Sequence, residues 1–233
     1  MKNLNANYAA PRVEEPKIEM RKIRLLLGGF GLLLPILLYI GNDFKLMPSI
    51  SHFYYTSSAV FLISMVTSLG IVLIAYKGYE KTEKEWFSDN VITSIAGISA
   101  IALILFPAYS NKVIDLVSFY GYPNDNYLFG SMKDATVNNI HFFTSAMFIM
   151  MLGVMSYFKF TKAGKYVLIY KCCGIVIGIS VVLIALFESV DSLKPLLPNY
   201  VFWFETIAVY SFAIAFMVKA KPKQTLLGLF SRS

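Results

Sequence analysis

Apolar positions in this chain do not alternate with polar ones; they run together. Six stretches, residues 25–41, 53–76, 91–109, 139–158, 167–187 and 200–218, consist mainly of Leu, Ile, Val, Phe, Met, Ala and Gly, each bounded by charge, Pro or Asn. A membrane-crossing helix needs about 17–25 mainly apolar residues, so each stretch predicts one span. None shows the two-residue period of a barrel strand. Lipid offers no hydrogen bonds to the backbone, so every N–H and C=O must be paired within the segment, which leaves helices. The pattern predicts an all-α polytopic membrane bundle with six transmembrane helices over 23–219. A tail of 1–22 precedes it and a basic tail of 220–233 follows. Pro35 and Pro107 should kink or end their helices. Gly28, Gly29 and Gly31, with the Gly174–Gly178 pair, should form close packing surfaces between helices.

Composition strengthens this reading. Of 233 residues, 57% are hydrophobic and only 15% charged, against about 25% charged in soluble domains. That excludes an ordinary soluble enzyme, a disordered chain and a disulfide scaffold. The net charge of +7 has a topological cause. With the N-terminus inside, segments 1–24, 77–90, 159–166 and 219–233, together with Lys171, carry 17 of the 21 basic residues. Only Lys45, Lys112, Lys133 and Lys194 fall outside. This positive-inside asymmetry places both termini in the cytoplasm and the chain in the cell (inner) membrane. The basic residues form separate collars facing anionic lipid, so nucleic acid is not a partner. The first run reads as a retained anchor, since a polar tail precedes it and Gly41-Asn42-Asp43 is a poor cleavage site. Adjacent Cys172 and Cys173 are placed as small packing residues.

Polar groups beside the spans carry the functional clue, because they are costly in lipid. On the predicted outer side, Ser49, Ser51, His52, Tyr54, Tyr55 and Thr56 lead into the second run, and His141 and Thr144 open the fourth. Glu188 and Asp191 leave the fifth, and Glu205 lies inside the sixth after Trp203. Both histidines of the chain thus share one membrane face. Each is expected in the first turn of its helix, behind caps from Ser49 or Ser51 and from Asn138 or Asn139. Glu205, set between Tyr200-Val-Phe-Trp-Phe and Thr-Ile-Ala-Val-Tyr, must face the bundle, pair or be protonated.

His52, His141 and Glu205 are a legitimate ligand set for a divalent metal such as zinc. They are equally a general-base set, with Ser51 or Tyr55 as orienting donors. Tyr54, Thr56, Trp203, Glu188 and Asp191 would form the rim. The Tyr-rich outer segment 110–138, with an interfacial helix around 111–120, would cap it. Each residue also has a plain structural role available: interfacial contact for the histidines, an interhelical hydrogen bond for Glu205, an aromatic belt for Tyr54 and Trp203.

Six runs, cytoplasmic termini, Ser-Ile-Ser-His-Phe-Tyr-Tyr-Thr (49–56), Leu-Phe-Pro (105–107), His141-Phe-Phe and Phe-Trp-Phe-Glu (202–205) together resemble a group of uncharacterised bacterial six-span integral membrane proteins. That group is distantly similar to the superfamily of the FGF-receptor-activating protein and the damage-regulated autophagy modulators. The resemblance implies a six-helix fold and brings no catalytic residues. Ser51-His52 is also similar to the first element of the alkaline-ceramidase and progestin-receptor-like hydrolases. Those require three zinc histidines and seven spans, and this chain has two histidines.

Three function classes follow. The first is a membrane protein binding a lipid or other amphipathic ligand in an outer-leaflet cavity, without chemistry. The second is a membrane-embedded hydrolase or transferase of a lipid-linked substrate using the His/His/Glu site. The third is a channel or proton-coupled transporter titrating Glu205, for which the inner halves of the spans supply few polar residues. Membrane lipids are the expected partners; a homo-oligomer and a subunit of a larger membrane complex both stay open.

Overall fold

The structure, a computed structural model, describes residues 20–76, 85–108, 126–127, 130–131 and 135–220. The expected interfacial helix around 111–120 lies outside them. Among the described residues six α-helices dominate: α1 (Met20–Gly41), α2 (Ala59–Ala75), α3 (Asp89–Leu105), α4 (Ala135–Val154), α5 (Val167–Ser189) and α6 (Tyr200–Ala220). Short turns of other pitch join them: 3-10 turns at Ser51–Tyr55, Phe160–Ala163 and Asp191–Leu196, and a π turn at Met155–Lys159. Two strands, β1 (Asn126–Tyr127) and β2 (Gly130–Ser131), pair antiparallel before α4.

Local chemistry sets the boundaries. α1 runs through Pro35 without ending and stops in a Schellman turn. There Asp43 adopts a left-handed φ of 51°, and the N–H groups of Phe44 and Asp43 return to the carbonyls of Tyr39 and Ile40. The Phe44 ring packs on Tyr39, the apolar contact that commonly accompanies this motif. Ser88 caps α3, its hydroxyl accepting from the Val91 N–H at 3.2 Å. Pro107 follows the end of α3 at Leu105, as the residue type predicts.

Four helical stretches, at Arg21–Gly41, Ala135–Lys162, Val167–Ser189 and Tyr200–Ala220, are long and apolar enough to cross a membrane. The other two helices, α2 and α3, are apolar but only 17 residues each, about 25 Å at 1.5 Å per residue. The second apolar run is therefore not one helix from residue 53. It breaks at Thr56–Ser58, where Thr56 Oγ1 donates to the Phe53 carbonyl and Ser58 Oγ to the Leu38 carbonyl. Hydroxyls that offer the backbone another partner interrupt a helix in this way.

Each helix packs on the next in sequence, and α6 returns to pack on α1. Contacts fix the directions. Ser58 meets Leu38 while Arg24 meets Tyr76, so α1 and α2 are antiparallel. Gly28 lies against Met217, and Gly31 against Ala213 and Val209, so α1 and α6 are too. His141 reaches Leu103 while Lys159 reaches Asp89, and α3 and α4 oppose each other. The result is an up-and-down ring closed by its first and last helices.

Glycine makes three of the seams close. A Cβ on Gly70 would lie 2.9 Å from the Gly97 carbonyl oxygen, and one on Gly97 2.7 Å from Ile74 Cγ1. Gly174 sits against Tyr157 and Gly153, whereas Gly178 has nothing within 4 Å. The expected Gly174–Gly178 surface is thus used at one residue only. Side chains such as Leu168, Val182 and Val60 point outward and are more than 60% exposed. The core inside the ring is mainly aliphatic and holds an aromatic cluster, in which Phe160 and Phe212 meet Phe216 edge-on or tilted at centroid distances of 4.5–4.7 Å.

Candidate functional site

The sequence-predicted residues gather at one end of the ring, where α1, α3 and α5 end and α2, α4 and α6 begin. They occupy two stations there. The first joins α6 to the segment between α1 and α2. Glu205 Oε2 accepts the Ile50 N–H at 2.6 Å, and the Phe202 N–H donates to the Pro48 carbonyl at 3.0 Å. The Phe53 and Phe202 rings back these bonds at 5.9 Å. Ile50 immediately precedes the 3-10 turn Ser51–Tyr55, whose leading N–H groups need acceptors. A carboxylate inside an apolar helix is thereby satisfied by a backbone amide from another element.

His52 lies in that turn, not in the first turn of α2. Its Nδ1 sits 2.6 Å from Ser49 Oγ, and its N–H reaches the same oxygen at 3.3 Å. Ser49, rather than Ser51, is thus its hydroxyl neighbour. Ser51 and Thr56 are buried, and the Tyr54 ring stacks edge-on against Tyr55.

The second station grips the end of α3. The His141 Nδ1 lies 2.7 Å from the Phe106 carbonyl and 3.1 Å from that of Leu103. A carbonyl only accepts, so Nδ1 carries the proton. Nε2 faces Ser145 Oγ at 3.2 Å. The Tyr55 hydroxyl donates to the Ala108 carbonyl at 2.8 Å. His141 thus satisfies carbonyls at the end of α3, where Pro107 offers no N–H to help, and Tyr55 holds the carbonyl of Ala108 just beyond it. His141, seventh in α4, is 3% exposed and has both ring nitrogens occupied. The Asn138 and Asn139 positions fall within α4 rather than before it.

The three-residue metal set is not assembled. Among the described residues, no group of three or more His, Cys, Asp or Glu side chains could hold a metal ion. Glu205 and His52 belong to the first station and His141 to the second, each turned to a different partner. Of the rim residues, Glu188 and Asp191 stay together, both beside Lys194. Trp203 is 41% exposed. Glu188 accepts from the Tyr200 hydroxyl at 2.6 Å. Asp191 pairs with Lys194 at 2.9 Å, and that hydrogen bond, with the lysine's charge, holds the Asp191 carboxyl below its ordinary range. The same bond raises Lys194.

At the opposite end the structure holds a network that sequence reading missed. Lys159 Nζ, with a side chain only 5% exposed, lies 2.8 Å from Glu85 and 3.3 Å from Asp89. It also donates to the Phe87 carbonyl at 2.6 Å. Lys162 meets the same two carboxylates at 2.7 and 3.4 Å. The pairs tie the start of α3 to the π turn that ends α4. Lys219 is buried nearby, over the Phe160 and Tyr170 rings. Read as a collar, Lys159 and Lys162 looked like lipid-facing charge. The available signal was Glu85 and Asp89, two carboxylates four apart immediately before an apolar run.

No protein-family model, curated protein or solved structure matches this chain.

Proposed function

We propose that the chain is a six-span integral membrane protein with both termini cytoplasmic, binding a lipid or other amphipathic ligand at its outer end without chemistry. The likeness to six-span bacterial membrane proteins belongs to this proposal and bears on the fold alone. The observation that carries the non-catalytic reading is His141. Both its ring nitrogens serve the α3 end and Ser145, so a metal or a proton-transfer role would first have to break that cap. The ligand would meet the first station, Glu205 with Ile50 and Ser49 with His52, and Trp203, two residues before Glu205 on another face of α6, is exposed. An indole at such a position suits the boundary between headgroups and chains.

The test is retention of a fluorescent phospholipid by the full chain in detergent. His52→Ala and Glu205→Gln are expected to weaken retention several-fold while the recovered lipid is chemically intact. Retention unchanged in both variants would remove this end of the molecule from the binding site.

A hydrolase reading has one observation in its favour, the Ser49–His52 contact at 2.6 Å, which is within reach for a nucleophile and its base. It predicts that a fluorophosphonate probe labels Ser49 and that His52→Ala abolishes the labelling. Absence of label on the folded chain would eliminate it.

A further inference from the structure

The outward stripe of α1 carries a feature that the first station does not explain. Lys22, Leu25, Leu26, Gly29, Phe30 and Leu33 line a shallow cavity of about 450 Å³. Gly28 and Gly31 are used against α6, but a Cβ on Gly29 would meet nothing within 4 Å. Gly29 is therefore a notch in the outer surface, walled by Leu26 and Leu33, which are 52% and 50% exposed. At its N-terminal end stand the exposed cations Arg21 and Lys22. From Lys22 to Leu33 the stripe is about 16 Å long at 1.5 Å per residue, close to half of a hydrocarbon core about 30 Å thick.

We propose that this stripe seats one anionic phospholipid, its acyl chain in the notch at Gly29 and its phosphate against Lys22 and Arg21. The notch is one leaflet deep, and it is apolar throughout except where the cations stand. This matches a phospholipid in both length and polarity. A second copy of the chain fits less well. A two-fold pair crossing at Gly29 sets the same stripe against itself and brings like charges together at one end of the contact. The seat is independent of the first station, which involves neither α1's outer face nor Lys22.

Native mass spectrometry of the full chain in detergent, titrated with phosphatidylglycerol or phosphatidylcholine, tests this. Wild type is expected to retain phosphatidylglycerol preferentially. Lys22→Gln should cut that preference about fivefold, the worth of one interfacial cation, while phosphatidylcholine retention holds. Gly29→Leu fills the notch without touching the fold, so it should abolish the preferential adduct with an unchanged melting temperature. Gly29→Ala, which adds one methyl, should give a partial loss. Equal retention of the two lipids by wild type, or wild-type retention by Gly29→Leu, overturns the proposal. So does a wild-type dimer that Gly29→Leu converts to monomer, because a second copy would then occupy the stripe.

Discussion

At the scale of single residues, polar groups at the end where α2, α4 and α6 begin act chiefly as terminators and couplers of helices. His141 is the clearest case. Replacing it with Ala leaves the Leu103 and Phe106 carbonyls without their donor, and an unmade buried hydrogen bond costs about 1–3 kcal/mol. Thermal unfolding in detergent should show that loss. Glu205 separates two roles by chemistry. Gln keeps an oxygen for the Ile50 N–H and should leave the melting temperature nearly unchanged, whereas Leu removes the acceptor and should lower it. The pair at Asp191 and Lys194 is exposed and adds little. Because the Asp191 carboxyl is held below its ordinary value of 3.8, any stabilisation it gives is present above that pH and disappears as pH falls further. Sequence placed His52, His141 and Glu205 at one end of the molecule correctly. It could not show which way each side chain turned, because the partners at both stations include backbone and hydroxyl groups that carry no sequence signal.

At the scale of elements, the seams between helices depend on glycines that the sequence marked as small but could not rank. Gly97 faces Gly70 and Ile74 at distances no Cβ tolerates, whereas Gly178 faces open space. Gly97→Val should therefore forfeit folding or lower stability severely, while Gly178→Ala should be neutral or slightly stabilising, since Ala favours helix by about 1 kcal/mol over Gly. Expression level and melting temperature distinguish the two. The α3–α4 seam adds charge. Lys159→Met takes the more deeply buried cation away from Glu85 and Asp89, and breaking a buried pair costs about 3–5 kcal/mol. Adding Glu85→Gln to that variant should recover part of the loss. These contacts were not legible because residues 74 apart in sequence meet only once α3 and α4 are side by side. Helix boundaries were partly legible: Pro107 follows the end of α3 as expected, while the hydroxyl-rich turn at Thr56–Ser58 was read as continuous helix.

For the whole molecule, hydropathy alone predicted an all-helical bundle, and the structure agrees on helices while giving four of membrane-spanning length and two shorter ones. The count is open to direct measurement. Reporters placed after each helix in turn should alternate between the two sides if all six helices cross; a helix flanked by reporters on the same side does not cross. The ring order itself was only half visible. Short connections favour neighbours, but nothing in the sequence states that the last helix closes on the first.

That closure has a consequence for how the chain is made. The face of α1 bearing Gly28 and Gly31 is synthesised well before its partner Ala213. At about 5–20 residues per second, the ribosome needs about 10–40 s to cover that interval. Throughout this time the seam is open, and the insertion machinery or surrounding lipid must shield it. Chains arrested before α6 would keep that face bare permanently. In a pulse-chase experiment they should be degraded faster than chains that include α6, whose arrival is the step that covers the seam.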